Sequence, residues 1–106
     1  MIETELHSEG VVCTPWGDLD WASATTFRHV MSDLLQPGTD ILIDLRHVDT
    51  IDAGGVSALV GFARRAHSIG CRASIRNATP ELCGRLRRLG LQWILDSSIP
   101  NGNDAA

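Results

Sequence analysis

The chain has 106 residues, 43% of them hydrophobic and 21% charged, with a formal net charge of −4. That length suits one domain of common size, and the composition is that of a globular protein rather than a disordered one. All nine basic residues are arginines and are outnumbered by 13 acids, which excludes the dense positive surface that nonspecific nucleic-acid binding requires.

No apolar run approaches the roughly 18 residues needed to cross a bilayer. The N-terminal stretch MIETELHSEG is acidic and polar, without the basic start or apolar stretch of a secretory signal. A cytoplasmic location is expected. Cys13, Cys71 and Cys83 are odd in number and widely spaced, and with His7, His29, His47 and His67 they make no zinc-ligand pattern. They are expected to be buried free thiols, and no metal or cofactor is expected.

In chain order, Thr4–Leu6 and Val11–Thr14 read as two short strands joined across His7-Ser8-Glu9-Gly10, with Pro15 ending the second or holding it at an edge. Gly17-Asp18-Leu19-Asp20 reads as the lead into a helix that Asp20 or Ser23 caps, with Phe27, Val30, Met31, Leu34 and Leu35 at helical spacing. Gln36-Pro37-Gly38 stops it. Ile41-Leu42-Ile43-Asp44-Leu45 predicts a central strand covered on both faces or nearly so.

A second helix is expected from Asp52, with Val56, Leu59, Val60, Ala63 and His67 along its apolar line, Arg64 and Arg65 on the wet side, and Gly70 closing it. Cys71–Arg76 alternates like a half-buried strand. Thr79-Pro80-Glu81 supplies a capping hydroxyl, a proline at the first helical position and an acid at the positive end of the dipole. In this third helix Leu82, Leu86 and Leu89 are expected to face inward. Leu91–Leu95 is a last apolar segment, and residues 97–106 are expected to form a loose tail after a domain of residues 1–96. Strands alternating with helices of this length predict an α/β fold with a mostly parallel sheet.

The stretch Asp49-Thr50-Ile51-Asp52-Ala53-Gly54-Gly55-Val56-Ser57 opens the second helix on an acid and places two glycines in its first turn. Glycine costs about 1 kcal/mol against alanine inside a helix, so the turn requires small residues. Loops leading from a parallel strand into a helix are where ligands bind in such sheets. A phosphate cradle is disfavoured, because GxGxxG and GxxxxGK are both absent and Asp52 would repel the anion.

Several segments in register resemble the STAS domains of bacterial anti-sigma factor antagonists. Gly17-Asp18-Leu19-Asp20 resembles the G-E-L-D-like segment that opens those domains. Asp44-Leu45, Val48, Ile51-Asp52, Gly55 and Val56 match the signature D-L-x-x-V-x-x-I-D-S-S-G-L. Gly70, Asn77 with Thr79-Pro80, and Leu89-Gly90-Leu91 follow at the family's spacing, so that the resemblance covers roughly residues 3–95. It implies a β-α superhelix with a four- or five-stranded, mostly parallel sheet, an antiparallel N-terminal strand and three main helices.

The resemblance also implies partner switching. An anti-sigma factor with a histidine-kinase-like ATPase fold holds a sigma factor, the unphosphorylated antagonist docks on that kinase and frees the sigma factor, and phosphorylation of a serine after the signature Asp breaks the contact. Here the S-S pair falls on Ala53 and Gly54, so neither acceptor hydroxyl exists. The resemblance places the partner contact on Asp52, Ala53, Gly54, Gly55, Val56 and Ser57, with Asp18 and Asp20 as an acidic rim suited to an arginine-bearing partner. Small side chains are expected to keep this turn open to a partner's backbone.

Thr50 and Ser57 are weak alternative phosphoacceptors. Trp16 and Trp21 flank the rim and either face a partner or pack beneath the loop. No nucleophile stands beside the acids, and a non-enzymatic protein is expected. A non-switching scaffold that assembles with other STAS proteins is the alternative. A homodimer through an apolar surface around Trp93 and Ile94 is also expected.

Overall fold

In the computed structural model, residues 2–8 and 10–95 are described. The expected tail at 97–106 lies outside them. The elements run β1 (Ile2–His7), β2 (Gly10–Pro15), β3 (Gly17–Leu19), α1 (Trp21–Leu34), β4 (Asp40–Asp44), β5 (Val48–Ile51), α2 (Ala53–Ser68), β6 (Arg72–Arg76) and α3 (Pro80–Arg88). A 3-10 turn, Gln92–Ile94, follows. The main sheet has the order β1-β2-β4-β6, antiparallel between β1 and β2 and parallel elsewhere. This is the expected α/β architecture with its antiparallel N-terminal strand.

Hydrophobic alternation decides which face of the sheet meets the helices. Val11, Cys13, Ile41, Ile43, Ala73 and Ile75 point into the core and are buried, where they meet Phe27 and Met31 of α1, Leu59 and Phe62 of α2, and Leu82 and Leu86 of α3. The opposite face stays open: Val12, Leu42 and Ser74 are only half-buried. The continuous apolar run of β4 therefore does not mean cover on both faces. Leu42 is the residue that departs from that expectation.

A second, two-stranded sheet pairs β3 with β5 in parallel, Leu19 opposite Ile51. Its strands, Gly-Asp-Leu and Val-Asp-Thr-Ile, are three and four residues long, too short for periodicity to reveal. Each continues a strand of the main sheet and delivers the chain into a helix, β3 into α1 and β5 into α2.

The helix caps follow the sequence. Asp20 and Ser23 form a reciprocal capping box on α1, Asp52 caps α2, and Thr79 caps α3 ahead of Pro80. The buried face of α2 differs from the expected line: it is Gly54, Gly55, Ala58, Leu59, Phe62, Ala63 and Ala66, while Val56 and Val60 are half-buried and His67 is exposed. Glycines let the first turn approach Leu19 and Trp21 closely, and Leu59 and Phe62 with the alanines fill the core further along the helix. Leu89 lies beyond the last turn of α3 and is 62% exposed, not inward. Ile94 is fully buried by the 3-10 turn, which leaves Trp93 as the exposed part of the surface expected around the two. Leu95 makes a parallel bridge to Ile75.

Candidate partner-docking site

The strand pair β3–β5 brings the starts of α1 and α2 side by side. The Asp52 carboxylate joins them: Oδ1 accepts from the Gly55 amide at 2.9 Å and Oδ2 from the Trp21 amide at 3.4 Å. One side chain thus satisfies donors at the first turns of two helices, and its negative charge lies at the positive ends of both dipoles. Asp52 itself is exposed.

Asp18 is also exposed, and its Oδ1 accepts from the Thr50 hydroxyl at 2.7 Å across the strand pair. Asp20 is occupied as the α1 cap, accepting from the Ser23 amide at 2.9 Å. The fold therefore brings Asp52 to Asp18 and Asp20, more than thirty residues earlier in the chain, at one end of the molecule.

Gly54 and Gly55 are buried within the chain itself. A Cβ on Gly55 would stand 2.0 Å from the Leu19 carbonyl oxygen, and one on Gly54 would meet the Trp21 ring at 2.6 Å. The expectation that both glycines lie open to a partner is corrected here: the chain's own packing needs their smallness. Ala53, Asp52 and Ser57 are exposed and Val56 is half-buried, so these positions form the accessible surface of the turn.

Trp21, 67% exposed, lies over Gly54, and Trp16 stacks on His47 at 3.7 Å between ring centres. Both indoles lie at this end of the sheet, and neither is hidden beneath the loop. Sequence reasoning noted the two tryptophans but had no signal for the ring-on-glycine contact, because residues 21 and 54 meet only in the tertiary structure.

Asp44, at the end of β4, was not singled out by the sequence as an ion-pair centre. It is fully buried, and its carboxylate accepts from the Arg46 amide and guanidinium, from the Asn77 side chain and, at 3.4 Å, from Arg76. Burial pushes its pKa up, but the hydrogen bonds from Arg46 and Asn77 outweigh burial and hold it at about 2. It anchors the loop that carries the chain into β5.

The three cysteines are free and buried as expected. Burial raises the Cys13 thiol to about 12, and its S–H faces the Met31 sulfur at 3.2 Å. Among the described residues no three His, Cys, Asp or Glu side chains gather as metal ligands, and no helix is long and apolar enough to cross a membrane.

The family model described as "Mlab, STAS domain" matches residues 3–96. The chain belongs to the STAS family. Solved structures agree at the level of fold. SpoIIAA from Bacillus in its phosphorylated form, called a cell fate determinant, superimposes with a TM-score of 0.74 at 21% identity, covering 91% of this chain and 89% of that one. A Thermotoga maritima protein described as an anti-sigma factor antagonist gives 0.77 at 18% identity, covering 90% and 83%. Mglu gives 0.67 at 20% identity over 74% of this chain, which spans only 20% of Mglu. No curated protein sequence matches the chain.

Within this STAS domain, positions 53 and 54 differ in kind. Ala53 stands exposed, whereas a side chain at 54 would have to displace the Trp21 ring or shift the turn.

Proposed function

We propose that this STAS domain is an anti-sigma factor antagonist: it binds an anti-sigma factor with a serine-kinase, histidine-kinase-like ATPase fold and frees the sigma factor held there. The contact surface is the start of α2, with Asp52, Ala53, Val56 and Ser57 at its centre and Asp18 and Asp20 at its rim. Phosphorylation does not switch it off at the usual place. The observation that carries this reading is the Trp21 ring over Gly54, beside an alanine that offers no hydroxyl.

The exposed carboxylates of Asp18 and Asp52 favour an arginine-bearing partner, since charge complementarity guides encounter and register. Thr50 already donates its hydroxyl to Asp18, and Ser57 is exposed one turn further along α2. The test is incubation with a serine-kinase-type anti-sigma factor and Mg-ATP, read by binding and by intact mass. Retained binding with unchanged mass supports the reading, and a stoichiometric phosphate addition that releases the partner overturns the unswitched part.

A permanently filled switch position also suits a domain that holds partners without regulation, as an assembly module for other STAS proteins. That reading gains if the kinase fails to bind while a STAS partner does.

A further inference from the structure

Two turns along from the Trp21 ring, a hollow of about 170 Å³ opens between α1 and α2. Arg28 and Ser32 of α1 line it, with Ala58, Gly61, Phe62 and Arg65 of α2. It continues the groove that starts at the docking turn. Arg28 follows Trp21 by seven residues and Gly61 follows Gly54 by seven, so on each helix the same face returns after two turns, about 11 Å along. One turn further, Arg65 Nη1 donates to the Ser32 hydroxyl at 3.5 Å.

The fold gives Gly61 no internal reason to be glycine. It is exposed and helical, and a Cβ there meets nothing within 4 Å. The other glycines inside helices differ: the Trp21 ring packs on Gly54, the Leu19 carbonyl on Gly55, and the Arg88 guanidinium stands 3.5 Å from a Cβ at Gly84. Glycine is the poorest helix former after proline. At position 61 the chain therefore gives up helix stability for a space that its own side chains leave empty.

The walls of the hollow carry unmatched charge. The ion pairs among the described residues are His7–Glu5, Arg46–Asp44 and Arg76–Asp44, and none involves Arg28 or Arg65. α2 has no acid, and α1 has one, Asp33, five residues from Arg28 and so on a different side of the helix. The volume lies below the roughly 300–1,000 Å³ of small-molecule pockets. It suits one protruding side chain.

We infer that this hollow is the second half of the docking surface: it takes an apolar side chain of the anti-sigma factor flanked by Asp or Glu, whose carboxylate pairs with Arg28 and Arg65. The inference rests on the proposed function and adds a charge requirement to it. Asp18 and Asp52 select a basic residue of the partner, and the arginines two turns away select an acidic one. Together they fix which way round the partner lies.

Calorimetric titration of the full chain into a serine-kinase-type anti-sigma factor, at low and high salt, tests it. Arg28→Glu and Arg65→Glu should each raise the dissociation constant about tenfold and flatten its salt dependence. Gly61→Gln fills the hollow. It should also weaken binding about tenfold, yet unfold at a higher urea concentration than the parent, which separates lost space from lost folding. Arg88→Glu, at the end of α3, makes the same charge change elsewhere and should stay within about twofold of the parent. Groove variants that bind like the parent, while Ala53→Arg abolishes binding, overturn the inference and leave the proposed function standing. An equal loss with Arg88→Glu overturns it in the same way. A parent chain that binds no such kinase overturns both. Sedimentation of the parent with anionic phospholipid vesicles, lost on Arg65→Glu, would assign the arginines to a membrane surface and overturn the inference as well.

Discussion

The ring of Trp21 occupies the space that a side chain at position 54 would need: a Cβ built on Gly54 stands 2.6 Å from Trp21 Cδ2. Serine at 54 must displace the indole or shift the first turn of α2, and overpacking of this kind costs about 1–3 kcal/mol. Gly54→Ser should lower stability by that amount in chemical denaturation, whereas Ala53→Ser, at an exposed position, should change it by less than about 0.5 kcal/mol. Combining Gly54→Ser with Trp21→Ala should recover on the order of 1 kcal/mol relative to the sum of the single changes. Simple additivity would contradict the contact.

Ala53→Ser has a second use. It restores a hydroxyl where the turn is open, so under the proposed function a serine-kinase anti-sigma factor with Mg-ATP should add one phosphate to this variant and none to the parent. Intact mass reads the result. An unmodified variant would show that the docking geometry, and not only the hydroxyl, has diverged.

Asp52 serves two helices, which separates its roles by substitution. Asp52→Ala removes the acceptor for both the Gly55 and Trp21 amides and should cost about 1–2 kcal/mol, the upper range for a lost N-cap. Asp52→Ser keeps a capping oxygen for α2 but is too short to reach across to α1. It should recover about half of the loss, and the amide exchange of Trp21 should stay accelerated in Asp52→Ser while that of Gly55 returns towards the parent.

Asp44 makes stability depend on acid. Its pKa is held at about 2 in the folded chain against about 3.9 unfolded, so the unfolded state binds the proton first as pH falls. The stabilisation is complete above about pH 4–5 and fades as pH drops through about 2, a loss on the order of 2 kcal/mol. Asp44→Asn should flatten that acid slope. At neutral pH it should also destabilise by about 2–3 kcal/mol, because Arg76 loses its buried counter-charge. Urea unfolding between pH 2 and pH 7 measures both effects.

Cys13 should resist alkylation. With no exposure and a thiol raised to about 12, its thiolate is scarce at pH 7.5. Iodoacetamide should leave it unmodified in the folded chain and label it readily in urea, as peptide mapping by mass spectrometry will show.

The sequence by itself determined the order of the four main-sheet strands and the three helices, and the three helix caps, because these are local matters: a capping oxygen, a proline at the first helical position, a run of aliphatic residues and a glycine stop each act within a few residues. It also carried the family, through the spacing of the signature from Asp44 to Val56. The tertiary structure alone decided what lies between distant segments. The strands β3 and β5 exist because they pair with each other, not because three or four residues favour strand. The first turn of α2 was set by close approach to Leu19 and Trp21, which selects glycine at 54 and 55. Leu42 faces the open side because helices cover only one side of the sheet. The turn at Gly54 shows the difference most directly. In the sequence its glycines suggest space left for a partner, but in the fold that space is filled, since Leu19 and Trp21 approach from a strand and a helix more than thirty residues earlier in the chain.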